Sequence, residues 1–302
     1  MKRLALCLLV AVTLSGCKKD PNIILGNDPP YYANVPTVLV RNYINRMYID
    51  MVGREPLDVE MDADLKLLRD NELAAETREA ILYRLQFDES FIEGDTSYKH
   101  AYFRRFYEMS KARFIEAAPN SEIQQQIGIY YFAYVVDSLN GDWVAVEQDK
   151  ILMRKLQNIL DSEQNYRLGN IKHWQMHTYM MDNYFYDFIN MNTFNFINAT
   201  FDDLFYRFPT EHEFAEAFDI IEYNQSGIVF GEAAQNKQDY IDILAHSREY
   251  YEGMIIWAYT SLLARTPSTD ETYEMMTKYY NDHDFQWIQR QIMITDEYAN
   301  FK

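Results

Sequence analysis

An Arg-x-Pro triplet closes a helical run at three places in this chain, and each time the same local grammar follows. The copies are Met51-Val52-Gly53-Arg54-Glu55-Pro56, Leu204-Phe205-Tyr206-Arg207-Phe208-Pro209 and Leu262-Leu263-Ala264-Arg265-Thr266-Pro267. Proline has no N–H to donate and pushes the residue before it out of the helical region, so each helix must stop there. Four residues beyond each proline stands a glutamate: Glu60, Glu213 and Glu271. Thr210-x-x-Glu213 and Ser268-x-x-Glu271 are capping boxes, in which the hydroxyl takes one orphan N–H and the glutamate reaches back to another. The first copy has Leu57 in place of the hydroxyl, which leaves Asp58 as the expected cap. The pattern therefore dictates helix–corner–helix units.

A second signature follows each corner: Leu85-x-x-Asp88-x-x-Phe91, Leu244-x-x-Ser247-Arg248-Glu249-Tyr250 and Ile292-x-x-Thr295-Asp296-Glu297-Tyr298. Asp, Ser or Thr there is an N-cap, with an aromatic residue in the first turn of a new helix. The helix opened by Ser247 is expected to run through Trp257 and to end near Ala264. An arginine at a helix end can satisfy last-turn carbonyls and bridge to a neighbouring helix. Arg207 and Arg265 are therefore expected to be partly buried and to pair with carboxylates of their own units, Glu249 and Glu297 first.

Composition agrees with helices. The chain has 25 Tyr, 18 Phe and 4 Trp against only 10 Gly and 8 Pro. Val38, Tyr43, Ile44, Met47, Tyr48 and Met51 share one helical face, and Trp143 to Leu160 behaves alike. Strict alternation is scarce, and the flanks of Asn140-Gly141 read as helices rather than as a hairpin. The expected fold is all-α: an elongated helical array with three diverged units. The expected division is 38–115 for the first unit, 116–193 for a helical insertion, 194–252 for the second unit and 253–302 for the third.

This helix–Arg-x-Pro–Ser/Thr-x-x-Glu–helix–Ser-x-Glu-Tyr grammar resembles the helical module of phycobilisome linker domains, over roughly half of the chain. The first copy departs from it at Leu57 and at Ser90, where the others have Glu. The resemblance implies a role in assembly rather than catalysis.

The N-terminus reads as an address. Lys2 and Arg3 precede an apolar run from Leu4 to Thr13, which is of signal-peptide length and too short to span a bilayer. It ends in Leu14-Ser15-Gly16-Cys17, which resembles the lipobox of bacterial lipoproteins. That resemblance implies cleavage after residue 16 and acylation of Cys17, a stable anchor when several chains are attached. Cys7 leaves with the signal, so the mature chain has no free thiol. Losing Lys2 and Arg3 leaves 26 basic residues against 46 acidic ones, a net charge of −20. Lys18-Lys19-Asp20 resembles the surface-export signal of Bacteroidota lipoproteins, and residues 17–37, rich in Pro, Gly and Asn, read as a tether. The expected place is the outer membrane; between its surface and its periplasmic side the Lys-Lys-Asp cluster favours the surface without deciding it. An acidic chain is a poor partner for nucleic acid.

Few patterns carry chemistry. His173 and His177 stand four apart on one helical face, which is metal-ligand spacing. Trp174 occupies the position where a zincin needs its general base. Asp182, His212 and His246 are the candidate third ligands, and packing of the pair against Tyr179, Met180, Met181, Tyr184 and Phe185 is the favoured reading. Glu211-His212-Glu213 lies inside a capping box, and Asp202-Asp203 is one acidic pair among many. Nucleophile elbow, phosphate-binding loop, dinucleotide fingerprint and haem motif are all missing. No catalytic residue, cofactor or metal is therefore assigned. The segment from Tyr179 to Phe208 holds eleven aromatic residues and is expected to be core more than platform. The expectation is a non-enzymatic subunit of an envelope complex with a protein partner. A glycan-binding accessory lipoprotein is the alternative, and a metallohydrolase centred on His173 and His177 the third reading.

Overall fold

The computed structural model describes residues 32–90 and 97–301. The signal segment, Cys17, most of the tether and Phe91 lie outside them. Tyr32–Asn34 form one 3-10 turn, and residues 35–302 hold all the other described elements. Those are fifteen α-helices and one small hairpin. In order they are α1 (Thr37–Val52), α2 (Asp58–Asp70), α3 (Ala75–Phe87), α4 (Tyr98–Phe114), α5 (Asn120–Asn140), α6 (Trp143–Arg167), α7 (His173–Met181), α8 (Tyr184–Asn190), α9 (Thr193–Phe205) and α10 (Glu211–Tyr223). After β1 (Gly227–Val229) and β2 (Glu232–Ala234) come α11 (Lys237–His246), α12 (Arg248–Leu263), α13 (Thr269–Asp282), α14 (Phe285–Met293) and α15 (Asp296–Ala299). The fold is all-α. No described helix is long and apolar enough to cross a membrane.

Helix ends follow the sequence closely. Ser247 caps α12, its hydroxyl accepting from Tyr250 N, and the helix ends at Leu263. Thr295 caps α15 in the same manner. Gly141, at φ 75°, ends α5 in the left-handed conformation and turns the chain into α6.

Two expectations need correction. Asp58 does not cap α2: it is the first helical residue, and the Leu57 N–H is satisfied by Glu60 instead. Asp88 does not open a helix at residues 88–90; its carboxylate folds onto Ser90, and the next described helix starts at Tyr98 with Ser97 as cap. A carboxylate that closes its own local turn is no longer free to cap. Segments from the two ends of residues 35–302 also meet. Tyr43 donates to Met293 O at 3.1 Å, Arg46 to Tyr298 O at 2.9 Å, and Arg78 to Ile294 O at 2.8 Å.

The β1–β2 hairpin departs from the all-helical pattern of the sequence. Ile228 faces Ala233 across a two-residue turn of Phe230 (φ 49°) and Gly231 (φ 84°). Two left-handed residues make the tight turn that suits strand twist, usually written with Asn-Gly. Here the Phe230 ring packs on Phe205, centroids 5.4 Å apart, which offsets the strain.

The core gathers around α7. Met176, Met180 and Met181 are fully buried, as are His173 and His177. Helices α4, α12, α13 and α14 supply the rings that enclose it, among them Phe106, Trp257, Tyr279 and Phe285.

Candidate functional site

The three corners share one geometry. Arg54 grips Glu60 through both terminal nitrogens at 2.8 and 2.8 Å; Arg207 grips Glu213 at 2.9 and 2.7 Å, and Arg265 grips Glu271 at the same two distances. Each glutamate also accepts the cap N–H, from Leu57, Thr210 or Ser268, at 2.6, 2.7 and 2.6 Å. Each arginine donates to the next carbonyl, of Glu55, Phe208 or Thr266. Each guanidinium lies over the aromatic ring six residues earlier: Tyr48, Phe201 or Tyr259. The residue before each arginine is left-handed: Gly53, Tyr206 and Ala264. Pro56, Pro209 and Pro267 follow as the stops.

The expected long-range pairings are present. Arg207 Nε meets Glu249 at 2.5 Å, and Arg265 Nε meets Glu297 at 2.6 Å. Both arginines are about one-third exposed. In the first copy, where the second signature lacks that glutamate, the Tyr98 hydroxyl donates to Glu60 at 2.5 Å. The hydrogen bonds from Arg207 and Arg265 hold Glu213 and Glu271 down at about 2. Burial would raise Glu60, but the donors Arg54, Tyr98 and Leu57 N–H more than offset it and the carboxyl ends lowered. These carboxylates are structural anchors with their lone pairs already engaged, the opposite of what a general acid or base requires.

His173 and His177 are completely buried; His177 is hydrogen-bonded through both ring nitrogens, His173 through Nε2 alone, its Nδ1 being buried without a partner among the described residues. The Tyr279 hydroxyl lies 2.8 Å from His173 Nε2; the Tyr250 hydroxyl lies 2.7 Å from His177 Nδ1, and Ser110 Oγ 3.1 Å from its Nε2. Burial drives both imidazoles to the neutral form, His173 down to about 3 and His177 well below its ordinary value. The proposed third ligands are elsewhere. Asp182 is bound by Lys155 at 2.6 Å, His246 sits beside Glu232, and His212 lines a different cavity. Among the described residues no group of three His, Cys, Asp or Glu is arranged to hold a metal. The pair packs against aromatic rings, but these come from Phe106, Phe114, Tyr250 and Trp257 around His177 and from Tyr166, Tyr251, Tyr279 and Phe285 around His173, not from Tyr179, Tyr184 or Phe185.

The aromatic segment divides. Phe185, Tyr186, Phe196, Phe201 and Phe205 are buried, whereas Tyr184, Phe188, Phe194, Tyr206 and Phe208 are exposed. Near it opens a groove of about 440 Å³ lined by Met109, Arg113, Asp203, Tyr206 and Trp257. Burial raises the Asp203 carboxyl to about 6, with Tyr186 donating to it at 2.7 Å. Phe285 stacks on the Trp257 indole at 5.6 Å and the Arg113 guanidinium lies over it at 5.0 Å, so the ring's stacking partners are internal.

The surface that stands out is on α5. The chain matches no family model, and no curated protein or solved structure matches it. The function must therefore be read from this surface and its chemistry. Helix α5 lies against α6, yet of its 21 residues only Ile123 is buried. Ile127, Tyr130 and Tyr134 form the half-covered inner stripe. A second stripe, Ile129, Phe132, Val136 and Leu139, points outward, with Phe132 70% and Leu139 84% exposed. Its spacing of three, four and three residues is that of a coiled-coil seam. Trp143 and Val144, at the start of α6, extend it past the hairpin tip and are also exposed. The sequence carried this signal, but a helix apolar on two sides hides a second stripe behind the first.

Proposed function

We propose that the chain is a non-enzymatic, acylated lipoprotein of the outer membrane and acts as an interaction subunit of a cell-envelope complex. One observation carries this reading: the outer stripe of α5. Contiguous apolar side chains in water are unfavourable, and rows of them at heptad spacing are the usual signature of a surface that another helix covers. Only Glu122 and Asp137 are charged within Asn120–Asn140, in a chain whose charged fraction is 25%. Charge depletion around an apolar centre with aromatic residues is the composition of a buried interface. The three arginine corners fit the same reading as rigid joints that hold helices at fixed angles, and they support the proposed kinship of the three units with linker-type modules. Anchorage through Cys17, with residues 17–37 as tether, would present the body at the membrane while its −20 charge keeps it off anionic lipid.

The test is affinity purification of the tagged lipoprotein from native membranes in mild detergent. A stoichiometric partner that is lost from the Phe132→Glu/Leu139→Glu variant is expected. Recovery from the wild type of no stoichiometric partner, a co-expressed untagged copy of the chain included, would sink the reading. Protease shaving of intact cells decides the side of the membrane, with cleavage expected if the body faces outward.

The glycan-binding alternative keeps one support, the groove beside Tyr206, whose exposed ring borders Arg113 and Asp203. Soluble envelope polysaccharide that shifts Trp257 fluorescence in the wild type, and less in Tyr206→Ala, would favour it.

A further inference from the structure

We propose that the occupant of the α5 seam is a second copy of this chain, packed antiparallel so that two α5–α6 hairpins make a four-helix bundle. This rests on the assembly reading above and names the partner of that same surface. A two-helix hairpin with a second apolar stripe is half of such a bundle, and the missing half has the same shape: another antiparallel pair. The seam is self-complementary, because its positions Gln125, Ile129, Phe132, Val136 and Leu139 are all uncharged and so put no like charges opposite one another in a two-fold pairing.

The area is sufficient. The exposed parts of the apolar residues on the outer face and tip, from Ile129 to Ile151, amount to on the order of 1,000 Å² per copy, against the roughly 800 Å² per partner of a standard stable interface. Charge selects the direction. Each body is strongly acidic, so a parallel pairing that sets the two side by side is disfavoured by repulsion. Antiparallel pairing places them at opposite ends of a helix about 31 Å long. At the base of that helix Tyr107 Oη and Lys111 Nζ both bind Asn120 Oδ1, at 2.9 Å each, which fixes the hairpin to the body. In this register Phe132 lies near the two-fold axis, and Leu139 of one copy lies beside Gln125 of the other.

Sedimentation equilibrium of the purified full-length protein in mild detergent tests the occupant. A dimer is expected, weakened at least 100-fold by Phe132→Glu/Leu139→Glu. Both residues are exposed, and unchanged circular dichroism checks that the variant still folds. A wild-type chain that stays monomeric at tens of micromolar overturns the proposal, while a different stoichiometric protein from membranes would still leave the assembly reading standing. Disulfide cross-linking in membranes tests the register, with the wild-type chain as control for its own cysteines. Phe132→Cys is expected to cross-link to itself, and Leu139→Cys to Gln125→Cys on the other copy. Self-cross-linking of Leu139→Cys without the Gln125 pair would overturn the antiparallel arrangement.

Discussion

Arg207 and Glu249 stand 42 residues apart in the chain, yet Nε and Nη2 of the one meet the two carboxylate oxygens of the other at 2.5 and 2.9 Å. The same guanidinium holds Glu213, so a single side chain joins the start of α10 to the start of α12. Paired, forked bonds of this kind are the strong class of hydrogen bond, and a planar guanidinium offers such forks to two carboxylates at once where a lysine ammonium offers only single bonds. Arg207→Lys is expected to destabilise the fold by about 1–2 kcal/mol, and Arg207→Ala by about 2–3 kcal/mol, because two carboxylates then face each other unpaired. Urea unfolding followed by circular dichroism reads both. Indistinguishable midpoints for wild type and Arg207→Ala would refute the corner as a structural joint.

Stability should fall with acid in two stages. His173 and His177 have folded values far below the ordinary 6.5, so the unfolded chain binds protons there that the folded chain does not. Their contribution is complete above about pH 6.5 and is lost as pH falls, at about 1.4 kcal/mol per imidazole for each unit. Glu213 and Glu271, lowered from 4.5 to about 2, add a second loss as pH falls from 4.5 towards 2. Melting temperature measured from pH 7.5 to 4.5 is expected to drop from about 6.5 downward. The drop should be shallower in a His173→Gln/His177→Gln variant; an equally steep one would place the proton uptake elsewhere.

Ala264 adopts φ 55° at the end of α12, where the first corner has Gly53. A side chain in that region costs about 1 kcal/mol that glycine does not. Ala264→Gly is therefore expected to raise stability by about 0.5–1 kcal/mol, and Gly53→Ala to lower it by at least as much, its new Cβ also lying 3.3 Å from Arg105 Cδ. Thermal unfolding of the pair checks the opposed signs.

Gly253 is where α12 crosses α9. A Cβ there would fall 1.8 Å from Leu204 O, and backbone cannot yield as a side-chain tip can. Gly253→Ala should cost upwards of about 3 kcal/mol or abolish folding at 37 °C, visible as loss of soluble expression and of cooperative melting. A near-neutral result would mean that the two helices are free to move apart.

Legibility in the sequence followed range. The corners were readable because a proline, a cap and a glutamate act within six residues, and local chemistry leaves a local trace. Glu249 and Glu297 were reachable for a related reason: both sit in the first turn after a recognisable cap. The closure of the N-terminal helices on the C-terminal ones was not readable. Arg46, Arg78 and Tyr43 bind carbonyls more than 200 residues away, and nothing near them in sequence announces it. Asp88 was misplaced because a residue suited to capping is equally suited to folding onto its own turn. Phe230 hid a hairpin because its turn is supported by a tertiary ring contact, not by turn-forming residues.

Helix α12 belongs to two corners at once. Its first turn carries Glu249, held by Arg207, and Arg265 follows its last residue, Leu263, after the single cap residue Ala264. A rod pinned at both ends cannot loosen at one joint while the other stays set. The chain from Arg207 to Glu297 should therefore open and close as one cooperative block, with amide exchange rates that converge along it, rather than fraying unit by unit as a row of independent modules would.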